Sequence, residues 1–178
     1  MFRNPFVLAV LLTVAGVVPF LGAGVAVLLD PVDTPVAVQV LISYGAVILS
    51  FVGAVHWGFA LRDTAHPLPG ALTPQMLGYE RQLLLFGIAP AILGWAALLA
   101  MIHFDLPALS LFLLLAGFFL AIVVETIGKG RGVVAGNYLI LRWLVSIVVL
   151  LVLLLVLFVV LSGTVRRTRA VHHDHLRR

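Results

Sequence analysis

The sequence contains no cysteine, and only 10% of its 178 residues are charged. The missing thiols exclude disulfides, thiolate metal sites and cysteine nucleophiles, and say nothing of compartment. The missing charge excludes a soluble fold. Soluble domains carry about 25% charged and about 45–50% apolar residues, whereas 63% of this chain is hydrophobic. Such a composition belongs to an integral membrane protein. Also missing are HExxH, Walker A, GxSxG and any paired-carboxylate array. Hydrolytic and phosphoryl-transfer chemistry therefore has no residues to work with, and the chain is read as a non-enzyme. No RNA- or DNA-binding motif is present, so no nucleic-acid partner is expected. The net charge of +4 comes largely from the tail "RRTRAVHHDHLRR", and a basic tail beside a membrane meets anionic headgroups.

What is present is apolar length. A spanning helix needs about 20 mostly apolar residues, and five segments supply them: 5–29, 36–61, 83–103, 106–124 and 139–163. These predict an all-α bundle of five transmembrane helices in one membrane domain, residues 1–165, followed by a disordered basic tail, 166–178. The first run is longer than the roughly 7–15 residues of a signal-peptide core, so it is expected to stay as a span. The connections carry turn chemistry. "DPVDTP" joins the first two spans, the proline-rich 62–81 segment joins the second and third, "FD" joins the third and fourth, and the glycine-rich 125–138 segment joins the last two. No internal repeat is visible, which counts against an inverted-repeat transporter.

Five spans put the N-terminus, the 62–81 loop and the 125–138 loop on one face, here called side A. The tail and the two short turns lie on side B. Side A holds Arg3, Arg62, Arg81, Lys129, Arg131 and Arg142; side B holds Arg166, Arg167, Arg169, Arg177 and Arg178. Six against five barely separates the two by the positive-inside rule. The first helix usually dominates, which places side A and the N-terminus in the cytoplasm.

The polar residues of the spans gather at side A. His56 and Trp57 lie near the side-A end of the second span, six residues before Arg62, so His56 sits about 9 Å deeper. Glu125 ends the fourth span there, and Arg142 begins the fifth, with Glu125 as its expected partner. Asp63, His66, Glu80 and Arg81 lie in the neighbouring loop. His56 admits two readings. A neutral imidazole at that depth can simply hydrogen-bond a carbonyl or water, and Trp57 can be an aromatic-belt anchor. Equally, an ionisable group inside a span is a functional candidate by default.

Small residues mark helix–helix contact faces in lipid. The second span carries Gln39, Ser43, Ala46, Ser50, Gly53 and Trp57 at steps of four and three. The third carries Gly87, Pro90, Ala91, Gly94 and Ala97, and the first carries Gly16, Pro19, Gly22 and Gly24. Pro19 and Pro90 each remove a backbone hydrogen bond and predict kinks. No cofactor is expected: His56 and His103 lie at opposite ends of their spans, too far apart to share a haem. The tail residues His172, His173, Asp174 and His175 are read as incidental, not as a metal site.

"GVVPF", "YGAVILSFVGAVHWGFAL", "GIAPAILGW" and "YLILRWLVS" together resemble one family, the uncharacterised bacterial and mitochondrial family that includes transmembrane protein 69 (domain of unknown function 3429). The resemblance covers most of residues 13–150. It points to Pro19, Tyr44, Gly45, His56, Trp57, Gly58, Pro90, Trp95, Arg142 and Glu125. The candidate functional cluster is thus His56, Trp57, Tyr44, Arg62, Glu125 and Arg142. The expected function is that of a multi-pass inner-membrane accessory or assembly component of a larger membrane complex, a respiratory one by analogy with the family's distribution. Its partners would be the bilayer, other membrane subunits or itself. The alternative is a small oligomeric transporter or channel with a site near His56, Arg142 and Glu125.

Overall fold

The computed structural model describes residues 5–29, 34–65, 74–129 and 136–175. They form five helices: α1 (Pro5–Leu29), α2 (Thr34–Ala65), α3 (Pro74–Phe104), α4 (Pro107–Lys129) and α5 (Gly136–His175). Among the described residues there is no strand, and all five helices are long and apolar enough to cross a membrane.

Proline sets where several helices begin. It opens α1, α3 and α4 and stands second in α2. The first helical position lacks an intrahelical N–H bond in any case, and proline's fixed φ suits it. The α3–α4 turn is as short as "FD" predicts. Asp105 takes the left-handed conformation at φ 50°, which a short polar side chain tolerates. The Leu106 amide then donates to the Ala100 carbonyl, and the Leu106 carbonyl accepts the first bond of α4 from Ser110, both at 3.0 Å.

Three helices outrun the sequence-based spans. α2 continues to Ala65, α3 starts at Pro74, and α5 runs on to His175, through most of the segment assigned to the tail. Hydropathy marks where lipid contact ends, not where a helix ends. The apolar stretch of α5, for instance, stops at Gly163.

The helices form a ring in which α2 packs on α1 and α3, α4 on α3 and α5, and α5 on α1, with α2 and α4 also meeting across the centre. The tightest crossing joins α2 to α3. A Cβ on Gly53 would run into the Gly87 carbonyl oxygen, and one on Gly94 would lie 2.9 Å from the Ala46 carbonyl oxygen. Pro90 is buried beside Gly53. Lipid offers helices no hydrophobic drive to associate, so close backbone approach has to supply the attraction. The small faces of α2 and α3 are thus spent on each other from Ala46 to Trp57, while Gln39 and Ser43 stay exposed.

The core is bulky by contrast. Phe20, Leu41, Ile42, Leu49, Leu111, Leu114, Leu153 and Val156 are fully buried. Phe20 meets Tyr44 and Phe118 edge-on at 5.2 and 6.0 Å. α5 enters this packing through Val149, Leu153 and Val156, and its Val152 sits over Gly24 of α1. Gly24 of α1 thus supplies a small residue against which α5 packs.

Gly53→Ala should lower the thermal stability of the detergent-solubilised protein by about 1–3 kcal/mol, the usual cost of overpacking. Gly22→Ala, whose Cβ would meet nothing within 4 Å, should leave it unchanged. Helicity followed by circular dichroism on heating compares the two.

Candidate functional site: a buried polar layer at one end of the bundle

Three helices present regular inward stripes. On α2 the stripe runs Val38, Ile42, Gly45, Leu49, Val52, His56 and Ala60. On α4 it runs Leu111, Leu114, Phe118, Ala121 and Glu125. On α5 it runs Arg142, Ser146, Val149, Leu153 and Val156. Steps of three and four keep each set on one helical face. Each stripe is apolar through the middle of the bundle and becomes ionisable near side A. His56 and Glu125 lie two residues inside the side-A ends of the apolar stretches Thr34–Gly58 and Pro107–Ile127, and Arg142 lies two residues inside that end of Ile140–Gly163.

Register brings these groups to one level. α2 and α4 run in the same direction, with Gly45 against Leu114 and Gly117 against Leu49. That offset of 68–69 residues sets His56 opposite positions 124–125. Arg142 meets Glu125 directly: its Nε–H donates to Oε1 at 2.9 Å and to Oε2 at 3.1 Å. The Arg142 side chain is 14% exposed and that of Glu125 only 2%. The ion pair expected from the sequence is therefore formed, and its acid is buried.

His56 completes the layer. It is 2% exposed, and among the described residues neither Nδ1 nor Nε2 has a hydrogen-bond partner. By contrast, the hydroxyls of Thr13, Ser50, Ser110 and Thr126 each donate to the carbonyl four residues earlier. A buried polar atom left unpaired costs about 1–3 kcal/mol, so the imidazole is an expensive choice at this position.

The other candidates separate from this layer. Tyr44 lies twelve residues before His56, about 18 Å deeper, where its hydroxyl donates to the Gly16 carbonyl at 2.9 Å. Its role is to fasten α1 to α2. Trp57 lies level with His56 but on the outer face, and its indole N–H donates to the Leu84 carbonyl at 3.1 Å. The Arg62 side chain and residue His66 fall outside what is described. α1 and α3 remain helical through Pro19 and Pro90; Pro19 faces outward and Pro90 inward. His103 is exposed at the far end of α3. Among the described residues, no group of three or more His, Asp or Glu side chains is placed to hold a metal.

Sequence reasoning gathered His56, Glu125 and Arg142 at side A but did not recognise that they lie on three inward stripes. The signal was available in the three–four spacing of α4 and α5. The structure also splits the small face expected on the first span: Gly24 is buried and Gly16 half-buried, whereas Pro19 and Gly22 lie on an outward face. Ala15, Pro19, Gly22 and Ala26, at steps of four, three and four, are all exposed.

These features define a multi-pass α-helical membrane protein with one buried polar layer. The chain matches the family described as "Protein of unknown function (DUF3429)" over residues 7–158, and it belongs to that family. It is 33% identical over 91 residues to Transmembrane protein 69 of Xenopus tropicalis, covering 51% of this chain and 32% of that protein. It is 28% identical over 91 residues to Transmembrane protein 69 of Mus musculus, covering 51% and 33%. The match thus spans about a third of the length of these curated relatives. No solved structure matches.

Replacing Glu125 alone by Leu should destabilise the bundle by about 3 kcal/mol or more, because it strands the Arg142 charge. Glu125→Leu combined with Arg142→Leu should recover much of that loss. Thermal unfolding of the two single variants and the double variant measures the coupling.

Proposed function

We propose that this protein is a non-enzymatic accessory or assembly component of a larger membrane complex. In this reading it sits in the inner membrane with its N-terminus in the cytoplasm. The observation that carries it is the outward face of α1. Ala15, Pro19, Gly22 and Ala26 leave a shallow strip where a partner helix can approach the backbone closely. The corresponding faces of α2 and α3 are largely consumed inside the bundle, so α1 is the helix that offers one outward. The fully buried Leu41, Ile42, Leu49, Leu111, Leu114, Leu153 and Val156 fill the centre, which suits a docking body better than a conduit. A respiratory setting is an analogy with the family's distribution.

Native mass spectrometry of the particle extracted in mild detergent tests this. Foreign subunits in fixed stoichiometry are expected, and Gly22→Leu should shed them while the bundle stays folded. A particle containing only this chain would refute the accessory role.

The unpartnered His56 ring favours a second reading, a small oligomeric transporter or channel with its site at His56, Glu125 and Arg142. In vesicles holding a trapped pH-sensitive dye, proton flux under an imposed gradient should then disappear in His56→Ala while insertion and helicity persist. Unchanged flux would end this reading for protons.

A further inference from the structure

We infer that His56 marks a hydrated site. Water enters from side A and joins the imidazole to the Glu125–Arg142 pair. The inference deepens the second reading but does not need transport, because water can reach His56 in a protein that moves nothing.

The first support is the ring itself. A neutral imidazole offers one donor and one acceptor, and both nitrogens of His56 lack a partner among the described residues although the residue is 2% exposed. The second is the company it keeps. The α2–α4 register puts the Glu125 carboxylate at the same level, and Arg142 of α5 is bonded to that carboxylate. Buried waters settle where two to four polar groups converge, and this is the level of the described bundle where ionisable side chains from three helices do so. The third is the shape of the inward stripes. Next to this layer they are narrow, with Ala60 on α2 and Ala121 on α4. Deeper, they close with Val52, Phe118 and Val149, all buried. The layer is therefore sealed towards the membrane centre. Its members lie two residues from the side-A ends of their apolar stretches, so the route for water is the short one. A hydrated ring exchanges its N–H proton with solvent, whereas a dry one is shut off from it.

The test reads hydration and not flux. In full-length protein labelled with nitrogen-15 histidine and embedded in lipid, the His56 ring signals are identified by their loss in His56→Cys. Magnetisation transferred from water should reach those signals nearly as fast as it reaches the tail histidines. A ring that stays dark in this experiment overturns the inference. The absence of native cysteine permits a second measurement. In proteoliposomes, a charged thiosulfonate that does not cross membranes should modify His56→Cys from one face only, at least 100-fold faster than Leu49→Cys, two turns deeper on the same stripe. Equal rates at both positions together with a dark ring reject the site. A bright ring with equal rates supports a site that admits water but is too narrow for the reagent. Modification with a dark ring also rejects it, since the opening would then come from the substitution.

Discussion

The bundle depends on how closely α2 and α3 approach. In water, two apolar helices would associate simply by removing surface from solvent. In lipid that term vanishes, and attraction has to come from contact between backbones and from hydrogen bonds. Gly53, Gly87, Gly94 and Ala46 provide that contact, and the bond from the Trp57 indole to the Leu84 carbonyl adds to it one turn higher. Because α2 is fixed by this crossing, the neighbouring face, about 60° round the helix, is fixed as well. That face carries Leu49 and His56 and sets the depth at which α4 docks. The bond from Tyr44 to Gly16 then attaches α1 to the other flank of α2.

The polar layer follows from the same geometry. His56, Glu125 and Arg142 each occupy a regular position of an inward stripe, where an aliphatic side chain would be expected. Two of the three satisfy each other. Exchanging such an ion pair for well-packed apolar residues often costs nothing in stability, so stability alone gives little reason to keep it. The third group makes no bond within the described protein. The desolvation cost of the layer is thus not matched by a comparable gain in stability.

Much of this was legible in the sequence. Five apolar runs, the "FD" turn, the clustering of ionisable groups at side A and the Glu125–Arg142 pairing all follow from length, hydropathy and connectivity. Two things did not. Helix ends such as Pro74 and Ala65 lie beyond the apolar boundary, where hydropathy carries no signal. The partners of each small-residue face also depend on the order of helices around the ring. Gly53 and Gly22 look alike in sequence, yet one is locked against a carbonyl and the other faces outward. Tyr44 shows the same limit. It shares the second span with His56 but belongs to a different helix pair.

The ion pair has a further consequence for how the chain is made. Glu125 and Arg142 are separated by seventeen positions and belong to α4 and α5. Ribosomes deliver about 5–20 residues per second, so the acid is synthesised about a second or more ahead of its base. During that interval α4 carries a carboxylate with no counter-charge from α5. The ion pair therefore forms only once α5 has joined α4.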